Sequence, residues 1–276
     1  MDESTKKQQD PDKNKKEKNE LVISYLALRK YLGLLGIGLP IILLVGSCIV
    51  NDNFLESSIS NYFHTPLRQF FTIRLGGISL LLFAYRGYDP VDRWVTNGAG
   101  VFGLLTSFVS TNFKDGSTLH GYLLVVKKTR DQIIPLENLN GKTYEIIPTH
   151  VSDFQATLHL VFAALFFLLL SYMAIFQFTK VKERTEEERK KIKKERLVYR
   201  ICGWLMVATI VALIPVAFED TSWEEYYTDH SLVFWGECIC LWAFGISWLV
   251  KGISSEQRVL NEKQDEENEK KQAFGA

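Results

Sequence analysis

Three ionisable residues lie inside long apolar stretches of the chain: Arg74, His159 and Glu237. A charged side chain at the centre of a bilayer costs roughly 2.5–3.5 kcal/mol or more, so such residues usually pair with one another or line a wet cavity. Counted at 1.5 Å per residue from the expected helix starts, Arg74 lies ~12 Å deep, and His159 and Glu237 lie ~9 Å deep. The three residues are therefore expected in one layer, in the outer half of the membrane.

A polar segment, 56–68, precedes the second apolar stretch and offers further groups for a site. Within it, Thr65-Pro66 is a good helix start, because threonine caps free amides and proline is tolerated at the first helical position. The residues before it are then expected to cover the outer mouth of the bundle, with Ser60, Tyr62 and His64 forming a lid over a ligand. The same side chains would also suit a structural role, anchoring the loop through hydrogen bonds to the backbone.

Three uses of this layer are open. The first is structural: Arg74 and Glu237 form a buried ion pair, and His159 hydrogen-bonds to one of them. The second is an outward-facing polar pocket that binds or senses a small anionic or lipidic ligand, where Arg74 would fix an anionic head group such as a phosphate or carboxylate. The favoured interpretation is this binding pocket, with Arg74, His159 and Glu237 as its floor.

The third use is a metal-dependent intramembrane hydrolase. In this alternative His64, His159 and Glu237 hold zinc, and a bound water is activated. No short ligand spacing such as HExxH supports zinc, because the ligands would have to converge from three separate segments. We therefore expect no cofactor and leave catalysis as an alternative, beside a purely structural or scaffolding role.

Helices must position these residues. Crossing ~30 Å of hydrocarbon takes about 20 helical residues, and six apolar stretches reach or approach that length. Lipid offers the backbone no hydrogen-bond partners, and continuous apolarity excludes alternating barrel strands. The sequence thus predicts an all-α integral membrane protein with a six-transmembrane-helix bundle. The predicted spans are 31–50, 69–86, 94–112, 154–178, 199–218 and 232–250.

Lysine and arginine are concentrated in the first thirty residues and in the connection 179–200. Short loops rich in these residues stay in the cytoplasm, so both termini are predicted to be cytoplasmic. The first apolar stretch is too long for the core of a cleaved signal peptide, and we interpret it as an uncleaved anchor. No Asn-x-Ser/Thr acceptor occurs, and no cysteine falls in a predicted outside loop. This pattern is typical of a bacterial inner membrane, with the lipid bilayer as the main partner and no nucleic acid.

Polar segments flank and interrupt the membrane domain, which is predicted to span 29–253. Residues 1–28 are expected to form a disordered cytoplasmic tail, because they contain little apolar surface to bury, and 254–276 form a second charged cytoplasmic tail. The loop between helices 3 and 4 contains two β-prone runs, 122–126 and 143–147, with the turn dipeptide Asn-Gly directly before the second. A small extracytoplasmic β-hairpin is therefore predicted there.

Four groups of residues carry a family resemblance: Ser58-Ile-Ser60-x-Tyr62-x-His64-Thr65-Pro66-x-Arg68, Tyr85-x-Gly87-Tyr88-Asp89, Leu158-His159 with Phe166-Phe167, and Glu237 with Trp242–Trp248. They resemble motifs of uncharacterised bacterial multi-span membrane proteins of a domain-of-unknown-function class, whose layout is loosely similar to DRAM-like six-span proteins. This resemblance implies a fold and no activity.

A more distant similarity is to the intramembrane hydrolases that include alkaline ceramidases, whose sites combine serine, aspartate and three histidines across seven spans. This chain differs in span number and in its last span, which offers Glu237 in place of a histidine pair.

Overall fold

The described part of the chain is mostly helical and contains one very short pair of strands. The α-helices are α1 Pro11–Val50, α2 Arg68–Ala84, α3 Pro90–Phe108, α4 Asp153–Tyr172, α5 Glu186–Leu213 and α6 Leu232–Phe274. A 3₁₀ turn, Ser60–His64, precedes α2, a π-helix, Met173–Gln177, continues α4, and a 3₁₀ turn, Ile214–Ala217, ends α5. This computed structural model describes residues 11–50, 55–87, 89–109, 136–137, 143–144, 153–181, 186–217, 226–227 and 230–274.

Four helical segments are long and apolar enough to cross a membrane: Leu26–Ile49, Phe154–Gln177, Glu186–Val216 and Leu232–Glu269. They cover four of the predicted spans and make the protein an all-helical membrane protein. The other two predicted spans overlap α2 and α3, which are not long and apolar enough to count as membrane-crossing segments on length and composition. Helix α2 has only 17 residues, and α3 carries Asp92 and Arg93 in its first turn.

The first and last helices extend well beyond the predicted spans. Helix α1 begins at Pro11, so most of the tail that we expected to be disordered over 1–28 is helical. Lysine and glutamate are good helix formers, and a helix that is already formed in the membrane can lengthen without a new nucleation step. The same reasoning applies to α6, which continues to Phe274 instead of ending near residue 250.

The helices form a ring in chain order. Each helix packs against the next one in sequence, and α6 closes the ring against α1. The contact between α1 and α6 is close because glycines face each other: a Cβ on Gly33 would lie 2.7 Å from the carbonyl oxygen of Gly245, and one on Gly245 would lie 2.7 Å from the carbonyl oxygen of Gly33. Small residues allow such close packing in lipid, where dispersion contacts hold helices together.

A short β pairing lies between α3 and α4. Strands β1, Leu136–Glu137, and β2, Thr143–Tyr144, are antiparallel, with Leu136 opposite Tyr144. The second predicted β run overlaps β2, whereas the first run, 122–126, lies outside the described residues. Two residues per strand are too few to establish the hairpin that the sequence predicts.

The segment before α2 differs from the predicted helix start. Helix α2 begins at Arg68 and not at Pro66. Thr65 still acts as a local cap, because its Oγ1 accepts a hydrogen bond from the Leu67 amide at 3.1 Å and its hydroxyl donates to the Tyr62 carbonyl at 3.0 Å. Thr65 therefore joins the end of the 3₁₀ turn to the start of α2 and fixes the turn at the end of the bundle.

Candidate functional site

Polar side chains gather at two ends of the bundle. The first group contains three of the six predicted site residues, whereas the second joins both termini of the membrane domain. We define the Glu237 end by Ser47, Ser60, Val109, His159 and Glu237, and the basic end by Arg29, Tyr85, Lys180, Glu195 and Lys251.

Glu237, in the second turn of α6, contacts the 3₁₀ turn directly. Its Oε2 accepts a hydrogen bond from the Ile59 amide at 2.5 Å, and its Oε1 lies 3.4 Å from the Ser60 hydroxyl oxygen. One turn earlier on α6, the Phe234 amide donates to the Ser57 carbonyl at 2.9 Å. The segment 57–60 is thus held against α6 at two points, so the 3₁₀ turn has a fixed position over this end of the helix.

His159, on α4, links the same turn to the end of α3. Its Nδ1 lies 2.6 Å from the Val109 carbonyl oxygen, and its Nε2 lies 2.7 Å from Ser60 Oγ. A carbonyl oxygen only accepts, so Nδ1 carries a proton, and Nε2 of the neutral ring accepts the Ser60 hydroxyl proton. The imidazole is 2% exposed, and both ring nitrogens have partners. Its orientation is therefore fixed.

A cavity adjoins these groups inside the bundle. Its volume is about 20 Å³, which is room for about one water molecule. Two of its lining residues, Ser60 and Glu237, belong to the hydrogen-bonded group, and Thr106 adds a third hydroxyl or carboxyl side chain. The remaining lining residues are apolar: Leu39, Ile59, Phe71, Leu75, Ala163, Phe166, Phe167 and Leu241.

The structure brings together Ser60, His159 and Glu237, three of the six residues predicted to bind a ligand. Tyr62 is fully buried and does not line the cavity; its hydroxyl is hydrogen-bonded to Ser47 Oγ on α1. Burial raises the pKa of Tyr62, so the phenol stays neutral. His64, at the end of the 3₁₀ turn, is also buried, with its ring edge-on to Phe63. These two residues, which were expected to cover a ligand as a lid, are packed inside the protein.

Arg74 lies apart from this group. It faces α1, where a Cβ on Gly38 would be 2.9 Å from its Nη1. Among the described residues Arg74 and Glu237 form no ion pair. The buried ion pair considered from the sequence is therefore not formed. Successive helical residues differ by about 100° in direction, and it is the next residue, Leu75, that lines the cavity.

The zinc alternative required His64, His159 and Glu237 to converge. Within the described ranges no group of three His, Cys, Asp or Glu side chains is close enough to hold a metal ion. His159 directs Nε2 at a serine hydroxyl and Nδ1 at a backbone carbonyl, and both nitrogens are thereby occupied by hydrogen bonds. The donor set at this end therefore suits hydrogen bonding more than zinc coordination.

The basic end contains a fully buried arginine. Arg29 is 0% exposed, and its Nη1 and Nη2 donate hydrogen bonds to Ser255 Oγ at 2.8 Å and to the Tyr85 hydroxyl at 3.2 Å. The same guanidinium lies 5.4 Å from the centre of the Tyr85 ring. These contacts join α1, α6 and the end of α2, so Arg29 holds three helices together.

Lys251, on α6, is also buried at the basic end. Its Nζ donates to the Phe178 carbonyl at 3.0 Å and lies 5.5 Å and 5.6 Å from the ring centres of Phe178 and Tyr199. One turn earlier, the Trp248 ring packs edge-on against both Tyr85 and Phe178. Lys251 thus contacts the helix end that follows α4 through its carbonyl and through aromatic surface.

An ion pair completes this end: Arg258 of α6 donates to the carboxylate of Glu195 on α5. From the sequence, Arg29 was used only as one of the basic residues that set the orientation and Lys251 was given no role, so this cluster was missed. A signal was available, because Lys251, Ser254, Ser255 and Arg258 follow the spacing of three, four and seven residues that marks one helix face. A polar face of that kind, next to apolar helices, indicates burial against other polar groups.

Comparison with known proteins adds no further constraint. No family model, no curated protein and no solved structure matches the chain. The resemblance to six-span proteins accordingly stays an expectation. What can be concluded about this protein's function rests on the two polar ends and on the cavity beside Glu237.

Proposed function

We propose that this protein is a six-span membrane protein, with both termini in the cytoplasm, that binds the polar head of a small lipidic molecule beside Glu237. The observation that carries the proposal is the hydrogen-bonded group of Ser60, His159 and Glu237 next to an otherwise apolar cavity. Ligand sites in proteins are mostly apolar and contain a few polar groups that fix orientation. The cavity beside Glu237 has this composition, although its volume is only about 20 Å³.

The contacts of α2 support its role as a span. At one end Leu67 packs on Gly46, and at the other the Tyr85 hydroxyl accepts a hydrogen bond from Arg29. Arg29 and Gly46 are ~26 Å apart along α1, and Leu67 and Tyr85 are ~27 Å apart along α2, at 1.5 Å per residue. Helix α2 therefore extends between the same two levels as α1, which meets the length and composition standard for crossing.

Helix α3 shows the same correspondence with α4. The Val109 carbonyl contacts His159, and Asp89 forms an ion pair with Lys180 after α4. From Asp89 to Val109 the chain rises ~30 Å if helical, close to the hydrocarbon thickness of ~30 Å. A helix pair of α2 and α3 that crosses and returns gives six spans and places both termini on one side.

The orientation follows from charge. The basic end lies beside the Lys/Arg-rich start of α5 and the charged ends of α1 and α6, whereas the Glu237 end carries few basic residues among those described. Basic segments near the membrane stay in the cytoplasm, so the basic end is the cytoplasmic one. The Glu237 end then faces outside, as expected for the inner membrane of a bacterium.

Of the two ligand classes open from the sequence, the geometry favours a lipidic molecule over an anion. Arg74, the cation expected to fix an anionic head, faces Gly38 on α1, and the ionisable group at the cavity is the Glu237 carboxyl group. Among the described residues that line the cavity there is no lysine, arginine or histidine that could bind an anionic head group. A volume of about one water molecule accepts a single hydroxyl or carbonyl group, and apolar walls suit the chain attached to it.

The test is to compare molecules that copurify with the protein. Organic extracts of the purified chain would be analysed by mass spectrometry for the wild type and for Ala163→Phe, which fills the cavity. Ala164→Phe, next in sequence and not among the lining residues, is the matched control. We expect a molecule bound near one per chain in the wild type and in Ala164→Phe, reduced at least tenfold in Ala163→Phe. Equal amounts in all three proteins would contradict the proposal.

A further inference from the structure

The hydroxyl of Ser60 has an unusual partner for this protein. Five other buried serines in the described helices donate to a backbone carbonyl three or four residues earlier, which is the ordinary way for a helix to satisfy a hydroxyl. Ser60 instead lies 2.7 Å from an imidazole nitrogen and borders a cavity. The five serines are Ser47, Ser79, Ser107, Ser171 and Ser247.

The proton positions around Ser60 are those of an activated nucleophile. A serine hydroxyl has one proton, and the shorter contact, to His159 Nε2, takes it in preference to the 3.4 Å contact with Glu237. His159 is oriented in turn by its Nδ1–H bond to the Val109 carbonyl. A nucleophile, a base within hydrogen-bond reach and a third group that orients the base are the geometric signature of nucleophilic catalysis.

A backbone donor for the developing negative charge lies beside the nucleophile. The amide of Ile59, one residue before Ser60, points at Glu237 Oε2 from 2.5 Å. A carboxyl oxygen that accepts this amide proton therefore already lies next to Ser60. The carbonyl oxygen of a substrate would take this position when the Glu237 side chain withdraws, and backbone amides placed in this way stabilise the oxyanion of acyl transfer.

We propose that the protein hydrolyses the ester of a lipidic acyl compound, with Ser60 as the nucleophile and His159 as the general base. This inference rests on the proposed function, because it assigns a reaction to the same site. Ser60 Oγ forms a bond to the acyl carbon while His159 Nε2 accepts the hydroxyl proton. The bond from the acyl carbon to the leaving oxygen breaks, and His159 returns the proton to that oxygen, which releases the alcohol.

The second half of the reaction restores the enzyme. Water adds to the acyl carbon while His159 accepts one of its protons. The bond from the acyl carbon to Ser60 Oγ then breaks, the proton returns to Ser60, and the carboxylic acid leaves. Glu237 has no proton-transfer step in this sequence. Its contact with the Ile59 amide holds the 3₁₀ turn against α6 before substrate binds, and this contact must break before the amide can donate to the oxyanion.

An alkyl fluorophosphonate tests the nucleophile directly. Attack by Ser60 Oγ on phosphorus expels fluoride and leaves a stable adduct that intact mass spectrometry of the purified full chain detects. We expect one adduct per chain, mapped to Ser60 by peptide analysis. We expect none at that position in Ser60→Ala and an unchanged rate in Ser58→Ala. Loss of the general base in His159→Gln should slow labelling roughly 100-fold or more.

The outcomes separate this inference from the proposed function. A folded wild type that carries its copurifying molecule but forms no adduct at Ser60 would overturn the nucleophile and leave the binding proposal intact. An adduct at Ser60 in protein that carries no copurifying molecule would support the nucleophile and count against binding. Peptide mapping of the wild-type adduct decides the position even where Ser60→Ala fails to fold. A wild-type labelling rate in folded His159→Gln would overturn the role of His159.

Discussion

The two ends of the bundle bury polar groups in different ways. At the Glu237 end a carboxylate and an imidazole are held largely by backbone groups, the Ile59 amide and the Val109 carbonyl. At the basic end Arg29 and Lys251 lie among aromatic rings and bind side chains or a helix-end carbonyl. The comparison indicates that the basic end serves mainly to join helices, whereas the Glu237 end borders a small cavity.

The hydrogen-bond partners sharpen this difference. The side chains of Ser60, His159 and Glu237 all have partners, and two of the three line or adjoin a space of water size. At the basic end Gln177, Trp248 and Glu195 each keep a buried polar atom with no hydrogen bond among the described residues. Order at that end therefore depends more on charge and packing than on a complete hydrogen-bond network.

The largest effect is expected from removing Arg29. Arg29→Met would leave the hydroxyls of Ser255 and Tyr85 without their buried donor, and each such loss costs about 1–3 kcal/mol. We expect the free energy of unfolding in mixed micelles to fall by roughly 3 kcal/mol or more. Arg93→Met, at an exposed position on α3, is the control and should change it little. Equal free energies of unfolding for Arg29→Met and Arg93→Met would contradict the structural role assigned to the basic end.

An intermediate effect is expected at the other end. Glu237→Leu leaves the Ile59 amide without an acceptor, and we expect the free energy of unfolding to fall by about 1–3 kcal/mol. Glu237→Gln keeps an acceptor oxygen in place, so its free energy of unfolding should fall by less than that of Glu237→Leu in the same measurement. If the loss in Glu237→Leu matched or exceeded that of Arg29→Met, the distinction between the two ends would fail.

The smallest effect is expected from the exposed ion pair of Lys180 and Asp89 at the basic end. The hydrogen bond that Lys180 donates to the Asp89 carboxylate raises the pKa of Lys180 above its ordinary value of 10.5. A raised lysine pKa contributes stability that is present below the ordinary pKa and is lost as pH rises through the folded value. This stability is present at neutral pH, but an exposed ion pair contributes little, so Lys180→Ala should unfold at nearly the same temperature as Lys193→Ala. A large drop for Lys180→Ala alone would show that surface pairs matter at this end.

Sequence reasoning predicted the helices well, because apolar length is a strong signal in a membrane protein. Each predicted span lies within or overlaps an observed helix, although only four of the helical segments described are long and apolar enough to cross a membrane. The grouping of His159 with Glu237 was predicted from depth alone, and Ser60 was predicted to join them from the polar segment before α2. Depth gives the level of a residue along a helix and says nothing of its direction, which is why Arg74 was included with them.

The basic end could not be predicted by the same reasoning. Arg29 and Lys251 lie near the ends of apolar runs, where long cations commonly extend into the interfacial region. Their burial depends on the close crossing of α1 and α6, and that crossing depends on glycines whose partners are more than two hundred residues away in sequence. Pairings at such separation are set by tertiary packing, so the polar face of α6 indicates burial but does not identify its partner on α1.

The π-helix at the end of α4 determines the direction in which the following residues face around the helix axis. The Phe178 amide bonds to the Met173 carbonyl, five residues earlier, at 2.9 Å, so Met173–Gln177 contains one residue more than an α-helical turn needs. Each residue turns an α-helix by about 100°. The extra residue rotates the residues that follow it about the helix axis, so that the Phe178 carbonyl faces Lys251. It does not change the face of α4 on which His159 lies. One residue of chain length in this segment decides whether the two ends of α4 can serve their separate partners at once.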